Sequence, residues 1–235
     1  MTIVDHLFFL AVAVAYPIAS YFSFQKLLRR IEAGETISPV YLYNMTLRSH
    51  WLLFGVAIAI WAASQRSWAE LGFGFQLDGP FLIGLALTLA ALVGLAMQLR
   101  RLTGACAKDI DTVRRQLGRI EFMFPRNGNE LNRFYGLSIT AGIVEETLWR
   151  GFLFWYLGHF MPLWGAAVVS SVGFGLAHMY QGARNVPQVI LVGGVLSALY
   201  LITGSLWLPI LLHAVFDMVQ GRVVYRVMRQ APAAA

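Results

Sequence analysis

The chain has 235 residues, of which 58% are hydrophobic and 13% are charged, and its formal net charge is +6. Soluble domains carry about 25% charged residues, so this composition excludes an ordinary soluble protein and indicates an integral membrane protein. The basic residues flank apolar blocks, which argues against nucleic acid as the partner, and the single cysteine excludes an intrachain disulfide.

Seven apolar blocks follow one another along the chain, each close to the ~20 residues that a helix needs to cross a bilayer. The alternating ten-residue segments that are typical of membrane barrels do not occur. The sequence therefore predicts an all-α polytopic bundle of about seven transmembrane helices. The blocks are Val4–Phe24, Tyr43–Ala63, Pro80–Leu99, Phe134–Leu157, Pro162–Tyr180, Val186–Thr203 and Leu206–Val224.

The basic residues predict the orientation of these spans, because loops rich in Lys and Arg stay in the cytoplasm. With seven spans, sixteen of the eighteen Lys and Arg residues fall on one side of the membrane. Only Arg66 falls on the other side, and Arg150 lies within a span. This bias predicts an N-terminus outside the cell and a C-terminus in the cytoplasm.

The blocks and the charges divide the chain into four regions. We expect a three-span region without a signature at 1–99, a basic cytoplasmic connector at 100–133, a four-span core at 134–224 and a basic cytoplasmic tail at 225–235. Within the connector, the stretch DIDTVRRQLGRIEFMF mixes charges with spaced apolar residues. It is either a surface helix on the inner leaflet or a solvated connector.

Ionisable residues inside the apolar blocks are concentrated in the last four. Such a residue costs roughly a few kcal/mol at membrane depth, so it usually faces the bundle interior and marks a site. We expect these residues to share one polar cavity that opens on the inner side. They are Glu145, Glu146, Arg150, His178, His213 and Asp217. By contrast, we assign His6, His50 and His159 to the membrane interface.

Helical spacing assigns different roles to the two adjacent acids. Glu146 and Arg150 are four residues apart, with the acid first, which favours an ion pair. Glu145 points about 100° away from Glu146 on a helix, so it is free for another role. His213 and Asp217 also share a helix face, where an acid can orient an imidazole.

Glu145, His178 and His213 supply a carboxylate and two imidazoles from three predicted helices. This set can activate a water as a general base, stabilise an oxyanion, or bind zinc as two His and one Glu with an open position. Structural readings stay open, because a single intramembrane His often only bonds a neighbouring helix. Buried acids and imidazoles also form proton relays in transporters, although the sequence shows no internal repeat.

The polar residues lie in three motifs that resemble those of the CPBP family of intramembrane proteases. That family includes the type II CAAX prenyl endopeptidases and bacterial relatives linked to bacteriocin processing and immunity. The motifs are EETLWRG at Glu145–Gly151, FGLAH at Phe174–His178 and HAVFD at His213–Asp217. They occur in this order within Phe134–Val224, and the first three blocks carry no signature.

The resemblance implies an intramembrane endopeptidase of the glutamic type, which hydrolyses a peptide bond near the membrane without a cofactor. It implies that Glu145 activates a water with the help of His178. It also implies that His213 and the residue at Asp217 stabilise the oxyanion of the tetrahedral intermediate.

One position departs from the prenyl proteases of the family, which commonly have Asn where this chain has Asp217. An ionised Asp would repel an oxyanion, so we expect Asp217 to orient His213 instead. The resemblance gives Glu146, Arg150 and Phe174 supporting roles in the site.

The implied partners are the lipid bilayer and a peptide or protein substrate, including prenylated or membrane-anchored ones, and not nucleic acid. From the resemblance to bacterial members we expect the protein to lie in a bacterial inner membrane. Three alternatives remain open: a zinc-dependent protease that uses Glu145, His178 and His213 as ligands, a proton-coupled transporter, and a non-catalytic immunity protein.

Overall fold

The computed structural model describes residues 1–101, 113, 115 and 117–230, and within these residues the secondary structure is helical without a β-strand. The first part of the expected inner-leaflet helix, DIDTVRRQLGRIEFMF, lies largely outside the described residues. Its described end forms a 3₁₀ helix at Gly118–Met123. The prediction of an all-α polytopic bundle is confirmed.

Seven main helices follow the seven apolar blocks. They are α1 at Ile3–Glu32, α2 at Pro39–Ala63, α3 at Gly79–Arg101, α4 as the consecutive segments Gly128–Glu146, Thr147–Phe152 and Leu153–Leu157, α5 at Leu163–Ala177, α6 at Val186–Thr203, and α7 at Trp207–Gln230. A short π-helical turn at Ala69–Phe73 lies between α2 and α3.

Five of the described helices, α1, α2, α3, α6 and α7, are long and apolar enough to cross a membrane. Helix α5 is apolar but has only 15 residues, and α4 carries the charged motif EETLWRG. The protein is therefore an integral membrane protein, but the predicted count of seven spans is not confirmed.

Local sequence signals explain where several helices begin and end. The Ser38 side chain accepts a hydrogen bond from the backbone of Val40 at the start of α2, and Asn127 accepts one from Glu130 at the start of α4. Such caps satisfy backbone donors that the first helical turn leaves free. Gly204 ends α6 with φ of 62°, a left-handed conformation that glycine adopts at low cost.

Helix α4 lies at the centre of the bundle and packs against α2, α7 and the turn at Ala69–Phe73. Val144, Leu148 and Phe152 of α4 are buried in the main apolar core, together with Phe8 of α1 and Trp61 of α2. The motif on α4 is therefore held by helices from both halves of the chain.

The outer faces of the first three helices carry large apolar side chains that are exposed in the isolated chain. Examples are Leu7 and Phe22 on α1, Leu52 on α2 and Ile83 on α3. In a soluble protein such a surface would drive aggregation, whereas it suits contact with lipid.

A buried ion pair joins the start of α1 to the loop after α2. Both guanidinium nitrogens of Arg66 donate to the fully buried carboxylate of Asp5, at 2.8 and 2.7 Å. The guanidinium also lies over the rings of Trp61 and Trp155, at 5.2 and 4.1 Å from their centroids. Arg66, the one basic residue predicted on the outer side, thus links the start of α1 to the loop after α2.

Candidate active site

The motif EETLWRG lies where the α-helical part of α4 gives way to a π-helical turn at Thr147–Phe152. Such turns are rare and often occur at functional sites. One turn before the acids, a Cβ atom on Gly142 would lie 2.8 Å from the carbonyl oxygen of Ile210. Glycine at this position therefore allows α7 to approach α4 closely, which brings His213 beside the acids.

Glu146 and Arg150 form the ion pair that their spacing predicts. Arg150 donates to Glu146 Oε1 at 2.8 Å, and both side chains are fully buried. Arg150 also donates to the carbonyl oxygen of Gly193 at 3.0 Å and to Ser197 Oγ at 3.4 Å. Glu146 Oε1 receives a second hydrogen bond from His213 Nδ1, at 2.7 Å. The pair thus connects α4 to α6 and α7.

The partner of His213 differs from the expected one. We expected Asp217 to orient this imidazole, but its nearer oxygen lies 3.7 Å from His213 Nε2, which is too long for a hydrogen bond. Glu146 holds the ring through Nδ1 instead. Glu146 reaches His213 because α4 and α7 are in close contact, which the spacing within α7 could not reveal. His213 Nε2 is left facing Asp217.

Glu145 belongs to a second group of contacts, as its predicted direction on the helix requires. Its Oε1 atom accepts a hydrogen bond from His50 Nε2 at 2.9 Å, and its Oε2 atom lies 3.8 Å from His178 Nε2. Oε2 is buried and has no hydrogen-bond partner among the described residues. His178 Nδ1 lies 2.8 Å from the carbonyl oxygen of Phe174. Because a carbonyl only accepts, Nδ1 carries a hydrogen, and Nε2 of the neutral ring is an acceptor.

Phe174 separates and supports the two groups. Its ring centroid lies 4.5 Å from that of His178 and 6.0 Å from that of His213. The guanidinium of Arg150 lies over the same ring, 4.6 Å from its centroid. The residues predicted for the site are thus brought together on three helices, with Phe174 packed between them.

The assignment of His50 to the membrane interface was wrong, because this side chain is buried with 7% of its surface exposed and bonds Glu145. A signal was present in the sequence: His50 is seven residues inside the second apolar block, or about 10 Å along a helix. His6 also has an internal partner, since its Nδ1 atom lies 2.7 Å from the hydroxyl of Tyr156.

A cavity of about 520 Å³ connects Glu145 with the end of α1. Its walls come mainly from α1 and α2, and Glu145, His50 and His178 line it deep in the bundle. Lys26 and Arg30 line it near the end of α1. The cavity therefore carries two basic side chains at the end of α1, and its opening on the inner side of the membrane stays a prediction.

Among the described residues, no group of three or more His, Cys, Asp or Glu side chains is arranged to hold a metal ion. Glu145 and His178 are neighbours at 3.8 Å, whereas the closest acidic contact of His213 is with Glu146. The zinc alternative, with Glu145, His178 and His213 as ligands, stays a prediction.

Fold and site together define an integral membrane helix bundle in which the carboxylate of Glu145 and the imidazoles of His50 and His178 line a cavity. Residues 127–219 match a family model described as Type II CAAX prenyl endopeptidase Rce1-like. The match includes all three motifs but less than half of the chain, and it confirms the resemblance to the CPBP and CAAX protease family. It supports a protease of the CAAX type that acts on a peptide substrate in a bilayer. No curated protein and no solved structure matches the chain.

Proposed function

We propose that the protein is an intramembrane endopeptidase in which Glu145 and His178 activate the attacking water. The observation that carries this proposal is the pair of acceptors in the cavity. Glu145 Oε2 is buried without a hydrogen-bond partner among the described residues, and it lies 3.8 Å from His178 Nε2. One water can donate a hydrogen to each of two acceptors at this separation.

The fixed orientation of both groups suits general base catalysis. The Phe174 carbonyl fixes the His178 ring through Nδ1, and the contact with His50 fixes Oε1 of Glu145. Efficient proton transfer needs a base within hydrogen-bond reach of the water, and held there. Glu145 would take a proton from the water as its oxygen bonds to the carbonyl carbon of the substrate.

The same proton completes the reaction. The C–O bond forms first, which gives a tetrahedral intermediate with a negative oxygen. The C–N bond then breaks, and the proton held by Glu145 passes to the leaving amine nitrogen. The products are a carboxylic acid and an amine, and the carboxylate of Glu145 is regenerated.

We assign His213 the role of stabilising the negative oxygen. Its Nδ1 atom is committed to Glu146, and its Nε2 atom is too far from Asp217 to be bonded to it. A doubly protonated ring would donate from Nδ1 to Glu146 and from Nε2 to the oxyanion. Donors of this kind, aimed at developing charge, contribute about 10²–10³-fold to a rate. Asp217 would then balance the charge of the ring from a distance.

The cavity defines the substrate that fits this chemistry. It extends along α1 from Val12 to Arg30, most of its lining surface is apolar, and Glu145 and His178 supply polar groups. It suits an extended peptide with an apolar or lipid-modified segment. We infer that the basic end of the cavity, with Lys26 and Arg30, faces the cytoplasm of a bacterial cell, because Lys and Arg favour that side of a membrane.

The experiment that tests this function measures cleavage of quenched peptides by the purified protein in detergent. The panel contains prenylated and unprenylated peptides of the same sequence. Wild type is compared with Glu145→Gln and with Glu70→Gln, which alters an exposed acid that is not among the described residues lining the cavity. Loss of a general base lowers a rate by about 10²–10⁴-fold. We therefore expect this loss in Glu145→Gln and wild-type rates in Glu70→Gln.

Three other outcomes would contradict this function or favour an alternative to it. Cleavage by Glu145→Gln at the wild-type rate refutes Glu145 as the base. Cleavage that a chelator abolishes and zinc restores supports the metal alternative. A wild-type protein that cleaves no peptide, but dissipates a proton gradient across vesicles, supports the transporter alternative.

A further inference from the structure

His50 is an ionisable residue of the site that lies outside the three motifs and outside the segment that matches the family. It comes from α2, where its side chain is 7% exposed. Its contact with Glu145 joins residues that are 95 positions apart in sequence. A buried polar side chain that reaches so far across a membrane bundle needs a reason to be kept.

The hydrogen bond between His50 and Glu145 has a defined direction. An ionised carboxylate only accepts, so the hydrogen lies on His50 Nε2, 2.9 Å from Glu145 Oε1. The opposite nitrogen, Nδ1, is buried and has no partner among the described residues. The ring packs in a T-shaped arrangement with Tyr16 of α1, with centroids 6.4 Å apart. The polar role of His50 therefore depends on the Nε2 contact alone.

We propose that His50 is a positioning residue, which holds Glu145 Oε1 so that Oε2 faces His178 and the attacking water. This inference rests on the proposed role of Glu145 as the base. A carboxylate attached by rotatable bonds presents its oxygens in many directions unless one of them is held. The contact from α2 fixes one oxygen and leaves the other for chemistry. His50 would touch neither the water nor the substrate.

The geometry allows a test with side chains of matched shape. The amide nitrogen of Gln can take the place of His Nε2, whereas that of Asn takes the place of Nδ1. We expect His50→Gln to keep most of the activity, and His50→Asn and His50→Phe to lose it. Misplacement of a catalytic group by about 1 Å can cost about 10²-fold, so we expect kcat to fall by about that factor with KM nearly unchanged. If His50 had a purely structural role, the activities of His50→Gln and His50→Asn would not differ in this way.

His159→Gln is the matched control, because His159 is exposed and its contacts among the described residues are with Trp155. It makes the same chemical change away from the cavity and should cleave at the wild-type rate. If His50→Asn and His50→Phe also cleave at that rate while Glu145→Gln does not, the inference about His50 fails and the proposed function stands.

The contact itself can be measured without any substrate. The chain has five histidines, and ¹⁵N-histidine NMR in nanodiscs would identify the ring of His50 by its loss in His50→Gln. We expect hydrogen on Nε2, and a shift of this signal in Glu145→Gln but not in Glu70→Gln. An unshifted signal would overturn the inference. A shifted signal with undiminished cleavage by Glu145→Gln would refute the proposed function while keeping the His50 contact.

Discussion

Replacement of Arg150 by methionine perturbs the buried charge network at its centre. The Arg150 side chain is fully buried and donates to Glu146, to the carbonyl oxygen of Gly193 and to Ser197. Methionine fills much of the same volume but donates no hydrogen bond. Arg150→Met therefore leaves the buried carboxylate of Glu146 with His213 as its remaining partner.

The magnitude follows from the burial of the pair. Removing one partner of a buried ion pair costs about 3–5 kcal/mol, because the other charge stays buried without compensation. At about 1.4 kcal/mol per factor of ten, the ratio of folded to unfolded protein falls by a factor between about 100 and a few thousand. The double variant Glu146→Gln/Arg150→Met removes both charges and should recover part of this loss. Arg150→Lys keeps the positive charge but lacks the planar guanidinium group, so its stability should lie between those of wild type and Arg150→Met.

The assay is reversible unfolding in mixed micelles, in which SDS is titrated against a mild detergent and tryptophan fluorescence reports the folded fraction. Arg184→Met is the control, because Arg184 is exposed, and its midpoint should match that of wild type. The reasoning is refuted if Arg150→Met unfolds at the wild-type midpoint. It is also refuted if the double variant is less stable than Arg150→Met alone.

Three further changes test other parts of the structure. In Gly142→Ala the new Cβ atom would lie 2.8 Å from the carbonyl oxygen of Ile210, so α7 must shift and the cleavage rate should fall by roughly tenfold or more. Gly136→Ala on the same helix, whose Cβ meets nothing within 4 Å, should cleave normally; equal rates for both variants would contradict the close approach. Asp217→Asn should keep cleavage within about tenfold of wild type in the same peptide assay, because its carboxylate is beyond hydrogen-bond distance of the nearest imidazole. Arg66→Met should lower stability in the SDS titration by about 3 kcal/mol and leave cleavage per folded molecule unchanged, since its contacts lie outside the acid site.

The features predicted correctly from sequence are those with a local signal. Apolar blocks gave the helices, because hydropathy and length decide whether a segment suits a bilayer. The ion pair of Glu146 and Arg150 followed from their spacing on one helix. The different directions of Glu145 and Glu146 followed from the same geometry, and their separate partners agree with it.

The features that were missed depend on contacts between helices. His213 has an acid four residues away on its own helix, yet it bonds Glu146 of α4, because a glycine lets the two helices approach. Nothing in the sequence around His50 shows that α2 will face Glu145. The count of seven spans stays a prediction, because α5 has only 15 residues and ends at Ala177, before the end of its apolar block.

The walls of the cavity and the Glu145 carboxylate within it come from different parts of the chain. Most of the lining belongs to α1 and α2, whereas the motifs lie in the segment 127–219 that matches the family. If the proposed function holds, the first two helices determine which peptide is bound, and the segment 127–219 supplies the residues that hydrolyse it. Mutation could then redirect the enzyme toward new peptides without altering its chemistry. A chimaera that exchanges the first two helices between relatives would take its peptide preference from the parent of those helices. Its catalytic residues would come from the other parent.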